Sequence, residues 1–212
     1  MTNVRRYIIN ARIETDTSNK KYIVTDPPIA QTLFGDWRWA WIWLIIRLYV
    51  GYEWLLAGWD KVINPNWVGH SAGKALTGFL NNSISLTTGA HPAVQPWYAI
   101  FLKAVILPAA GFWSYVVAFG ELLVGLGLVL GLFTGVAAFF GFFMNMNYLL
   151  AGSVSTNPVL LFLSIFLVLA WKTAGWWGLD RWVLFALGTP WSPGKAFRDK
   201  PVELPKQRRA EM

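Results

Sequence analysis

Cysteine is absent from the chain. That excludes disulfides, thiol nucleophiles, cysteine zinc sites and cysteine-ligated iron–sulfur clusters. Histidine is nearly as scarce: His70 and His91 are the two present, and both lie outside the long apolar runs. The intramembrane histidine pair that holds a haem between helices is therefore missing, and no haem, iron–sulfur or metal site is expected. Charge is also sparse, at 14% of 212 residues, with 11 acidic side chains against 18 Lys and Arg. What fills the space is apolar: 55% of the residues are hydrophobic and the mean hydropathy is +0.42. Such a composition argues against a soluble domain and for residence in a lipid bilayer. No nucleic-acid partner is expected.

A bilayer core of about 30 Å needs roughly 20 mostly apolar residues per helix. The segments 39–59, 112–132, 134–151 and 158–171 meet that description, the last by continuing through Lys172, whose side chain can snorkel to the interface. Segment 95–107 is shorter, carries Lys103 and stops at Pro108, so it reads as an interfacial or re-entrant helix. The expected fold is an all-α membrane protein, a four-helix antiparallel bundle with a long outer loop between its first two helices.

Basic residues set the orientation. Arg5, Arg6, Arg12, Lys20, Lys21 and Arg38 precede the first span, and eight Lys and Arg follow from Lys172 onward. Both termini should thus be cytoplasmic, which an even number of spans allows. Trp37, Trp39, Trp41, Trp43, Trp171, Trp176 and Trp177 would form the inner aromatic belt, and Trp54, Trp59, Trp67, Trp97 and Trp113 the outer one. The first apolar run is too long for a cleavable signal peptide, so it is expected to stay in the mature protein. Residues 1–38 form an N-terminal extension whose β-favouring runs at 5–14 and 20–25 suggest a short hairpin. Residues 39–187 are the membrane domain. The proline-rich basic tail, 188–212, reads as disordered and drawn to anionic lipid, or as a topology signal alone.

The outer loop is unusual in its charge. From Lys61 to Gly111 it holds Lys61, Lys74, Lys103, His70 and His91 and no acid. A cationic concavity of this kind attracts a small anion; the same lysines could equally be solubilising surface.

Ionisable groups inside a span are functional candidates by default. Arg47 lies about 12 Å in from the cytoplasmic end of the first helix, Glu53 about 9 Å below its outer end, and Glu121 about 13 Å below the outer end of the second. Arg47 and Glu121 are at similar depth and could pair. Glu53, Glu121, Asn145 and Asn147, with Asp60 and Lys61 at the rim, could line a cavity open to the outside. There a carboxylate would pass protons to a reduced quinone, or the same groups would only lock helices together. Gly125, Gly127, Gly131 and Gly135 point to close packing of the second and third helices.

At these residues the chain resembles the DoxX family, more narrowly its DoxD-like branch. The resemblance runs from about Leu44 to Leu184 and rests on three ordered motifs. They are Arg47-Leu-Tyr-Val-Gly51 with Ala57-Gly58-Trp59-Asp60-Lys61 and Asn64-Pro65-Asn66-Trp67; Glu121-Leu-Leu-Val-Gly125 through Thr134; and Gly178-Leu179-Asp180. It implies a four-helix protein of a prokaryotic cell membrane, linked to oxidation of thiosulfate to tetrathionate with quinone as co-substrate, usually beside a DoxA-type polypeptide. Carried over by position, Arg47, Gly58, Lys61, Glu121 and Asp180 are the motif residues. Glu121, Glu53 and Arg47 are then the candidate catalytic groups, and Lys61, His70, His91, Asn145 and Asn147 the candidate substrate-binding ones. Asp180 reads more simply as a cap on the short helix that follows it. The other reading of the whole is a non-catalytic anchor or scaffold of a redox assembly, or a small-molecule carrier.

Overall fold

The computed structural model describes residues 26–188, and every element within them is helical. The expected N-terminal hairpin and the expected disorder of the tail, from residue 189 on, lie outside the described residues. The main helices are α1 (Ala40–Val62), α2 (Lys74–Ser85), α3 (Pro96–Phe101), α4 (Ala110–Leu130), α5 (Thr134–Leu150), α6 (Asn157–Leu169) and α7 (Asp180–Leu187).

Among the described residues, two helical runs are long and apolar enough to cross a membrane: Trp37–Val62, of 26 residues, and Pro96–Leu130, of 35. Only 33% of each window is buried inside the protein. A core helix of a soluble domain would be covered on most sides, whereas here Phe112, Leu123, Phe139, Phe143 and Phe162 all point outward. Apolar surface on that scale needs a cover of lipid or of another protein, and the length of the two runs suits a bilayer. The helices α5 and α6, of 17 and 13 residues, are shorter.

The second run corrects the expectation for segment 95–107. It is not a separate interfacial helix, because α3 passes through a π turn at Leu102–Ile106 and a 3-10 turn at Leu107–Ala109 straight into α4. Proline removes one backbone donor, and a widened turn followed by a tightened one absorbs that loss without ending the helix. The loop between α1 and α4 is therefore largely helical. Its α2 and α3 form a cap with its own core of Leu76, Leu80, Val94, Tyr98 and Leu102.

The main core lies among α1, α4, α5 and α6, around Trp43, Val50, Trp54, Val124, Leu128, Leu160 and Leu167. The most extensive contact is between α1 and α4, and small residues explain it. A Cβ on Gly58 would collide with the backbone of Glu121 and Leu122, and one on Gly125 with the backbone of Leu55. Of the glycines expected to join the second helix to the third, only Gly127 faces α5, through Ala137, while Gly135 meets Trp171. A small-residue stripe announces a close neighbour but not which one.

Asp36 opens the first run. Its carboxylate accepts the Arg38 amide at 2.9 Å and pairs with the Arg38 guanidinium at 2.6 Å, and these bonds hold its acid below the ordinary value.

Candidate functional site

Lys61 sits in the last turn of α1, where the carbonyl end of a helix favours a cation. Gly58 is one turn earlier on the same face, and by admitting the backbone of α4 it brings Lys61 within reach of Glu121. The Lys61 Nζ donates to Glu121 Oε2 at 2.6 Å. Its ammonium also lies 5.2 Å from the centre of the Trp67 ring. Glu121 is 1% exposed, whereas the Lys61 side chain keeps 20%. The pair thus runs from the protein interior toward its surface.

The second Glu121 oxygen, Oε1, accepts the phenolic hydrogen of Tyr148 on α5. Tyr148 is in turn fixed by rings: Trp54 of α1 stacks on it at 6.4 Å, and Phe79 of α2 meets it edge-on at 6.2 Å. Three helices therefore meet at one carboxylate, and a fourth, α2, buttresses its phenol partner. A charge so far from water needs such partners, since an isolated buried carboxylate is strongly disfavoured. Chemically, the arrangement is a chain of three exchangeable groups, ammonium, carboxylate and phenol, with its ammonium end closest to solvent.

Neighbouring polar groups are less engaged. Asn145, one turn before Tyr148, is fully buried with neither amide atom hydrogen-bonded among the described residues, and the Trp54 Nε1 is likewise unpartnered. Asn147 is held outside the cluster, its Oδ1 accepting from Tyr98 at 3.0 Å and its Nδ2 donating to Phe143 O. Glu53 is half-buried and forms no ion pair among the described residues. His70, His91 and Asp60 are exposed and none joins the cluster.

Arg47 does not pair with Glu121. Its guanidinium caps the end of α4 instead, donating to Leu128 O at 2.6 Å, Val129 O at 3.2 Å and Trp177 O at 3.4 Å. The last carbonyls of a helix have no partner within it, and here each finds one. Leu132 N and Gly131 N return to Gly127 O and Leu128 O around Gly131, whose φ of +64° glycine adopts without strain, and Leu179 N donates to Leu130 O. Asp180 completes the clasp from the other direction. Rather than capping its own helix, it accepts the Phe133 amide at 2.6 Å and the Thr134 amide at 2.8 Å, so it caps α5. Depth along a helix put Arg47 and Glu121 level, but the antiparallel register of α1 on α4 sets Arg47 against Leu128, about two turns away.

Tyr148 is the member that the sequence analysis missed. The available signal was a tyrosine in an otherwise apolar helix, whose hydroxyl requires a partner once buried.

The DoxX family model matches residues 42–154. The chain belongs to the DoxX family. Gly58, Lys61, Glu121 and Tyr148 all fall inside the DoxX match, whereas Gly178 and Asp180 lie beyond it. No curated protein and no solved structure matches this DoxX chain.

Proposed function

We propose that this DoxX protein is a four-span membrane subunit of a quinone-linked oxidoreductase in which Lys61, Glu121 and Tyr148 move protons. The observation that carries the reading is the Glu121 carboxylate, buried between a partly exposed ammonium and a phenol. Quinone as co-substrate takes up electrons and protons together, and a carboxylate held between two proton-bearing groups is suited to supply the protons. The donor is an inorganic sulfur anion such as thiosulfate, oxidised to tetrathionate in the DoxD-like manner, and the acid-free stretch from Lys61 to Gly111 favours its approach. The electrons pass by direct contact of the substrates or through a DoxA-like partner. In this reading α5 and α6 complete the four spans, both chain ends face the cytoplasm of a prokaryote, and Arg47 has a packing role.

The test is thiosulfate-dependent quinone reduction by membranes carrying the protein, alone and with the products of neighbouring genes, against matched empty membranes. A rate per folded molecule that falls at least tenfold in Glu121→Gln is expected. Absence of a rate in every combination, with folded protein and active control membranes, overturns the assignment. One observation favours a second reading, a non-catalytic anchor: both Glu121 oxygens are already bound by the chain's own side chains. Under that reading Glu121→Gln lowers folded yield and leaves the turnover of the folded fraction unchanged.

A further inference from the structure

Beside the clasp, on the Arg47 side of the bundle, α7 and the turn before it enclose a groove of ≈ 300 Å³ lined by Lys172, Trp176, Arg181, Trp182 and Phe185. Among the described residues its charges do not balance. Asp180 also reaches the groove, but it is 2% exposed, its carboxylate takes two backbone amides, and it lies near enough to the buried Arg47 guanidinium for the two charges to attract. Lys172 and Arg181 have no carboxylate partner among the described residues; each rests against a ring, Lys172 on Trp171 at 5.8 Å and Arg181 on Trp176 at 5.3 Å. On the adjoining face of α7, Trp182 and Phe185 are one turn apart and are 65% and 61% exposed. Trp37 stacks on Trp176 at 6.1 Å, which places the start of the first span at the same level.

We propose that this groove binds the headgroup of an anionic phospholipid. The two cations would flank the phosphate, and Trp182 and Phe185 would lie at the boundary between headgroups and acyl chains, where aromatic side chains are favoured. A soluble anion would use the cations but not the exposed rings, and a protein partner would have to displace lipid from them. The α7 end of the bundle is thereby held at one depth in the membrane.

The experiment uses the full chain in nanodiscs of phosphatidylcholine, with and without part of it replaced by phosphatidylglycerol. Lipid carried through release into detergent is counted by native mass spectrometry. One retained phosphatidylglycerol is expected, with retention about thirty-fold weaker in Lys172→Gln/Arg181→Gln. The charge-keeping Lys172→Arg/Arg181→Lys should retain the lipid, which separates lost charge from lost folding. The control Lys74→Gln/Lys103→Gln, in the cap, should leave retention unchanged. Equal retention in wild type and the Gln pair, or an equal loss in the control, overturns the proposal. So does displacement of the lipid by inorganic phosphate alone, which would mark a simple anion site, and so does retention of phosphatidylcholine to the same degree.

Discussion

Lys61 and Glu121 meet at 2.6 Å across α1 and α4, one side chain 20% exposed and the other 2%. Removing one partner of a largely buried pair strands the other, and the usual cost is about 3–5 kcal/mol, whereas neutralising both at similar volume is nearly neutral. Lys61→Met should therefore unfold at clearly lower denaturant than wild type, and Lys61→Met/Glu121→Gln should recover most of the loss. Denaturant unfolding in micelles reads both. If the pair moves protons, the recovered double variant still has no quinone reduction.

Tyr148→Phe keeps the ring between Trp54 and Phe79 and removes only the hydroxyl. A hydrogen bond to a charged acceptor contributes about 2 kcal/mol, so a loss of that order is expected in the same unfolding measurement. Turnover per folded molecule should fall at least tenfold if the phenol belongs to the relay.

Gly58 and Gly78 make a matched comparison. A methyl at Gly58 meets the α4 backbone, while at Gly78 it meets nothing within 4 Å. Gly58→Ala should destabilise by about 1–3 kcal/mol, because backbone cannot rotate away as a side chain can. Gly78→Ala, inside α2, should stabilise by about 0.5–1 kcal/mol through the lower entropy of its unfolded chain. Thermal unfolding of the two variants should move in opposite directions.

At the clasp, Asp180→Ala removes the cap of α5 and leaves Arg47 without its counter-charge. A loss of about 2 kcal/mol is expected, with Asp180→Asn milder because one amide can still be accepted. Arg47→Met should cost at least as much, since it leaves Val129 O and Trp177 O without a donor at about 1–3 kcal/mol each. In both cases folded yield should drop while turnover per folded molecule holds, whereas in Glu121→Gln turnover per folded molecule should fall.

Much of this was readable from residue types. Arg47 and Glu121 stood out because charge inside an apolar run must be compensated, and Gly58 and Lys61 because their motif lies at the end of a span. Their partners were hidden, since partnership depends on interhelix register. The second helical run begins at Pro96 rather than after Pro108, so depth counted from its assumed start did not describe α4. Tyr148 carries no charge to betray it among apolar neighbours, and Asp180 caps a helix that begins 46 residues before it, beyond the reach of any local capping rule.

That separation of 46 positions also imposes an order on assembly. The ribosome delivers the last turn of α4 and the first turn of α5 long before Leu179 and Asp180 exist, and backbone groups without partners are costly in hydrocarbon. In the proposed four-span arrangement the α4–α5 hairpin therefore enters the membrane with Leu130 O and the Phe133 and Thr134 amides still lacking the partners that Leu179 and Asp180 supply, and settles only after the chain has returned to it. Stop codons placed before and after Asp180 should divide nascent chains sharply into protease-sensitive and protease-resistant products.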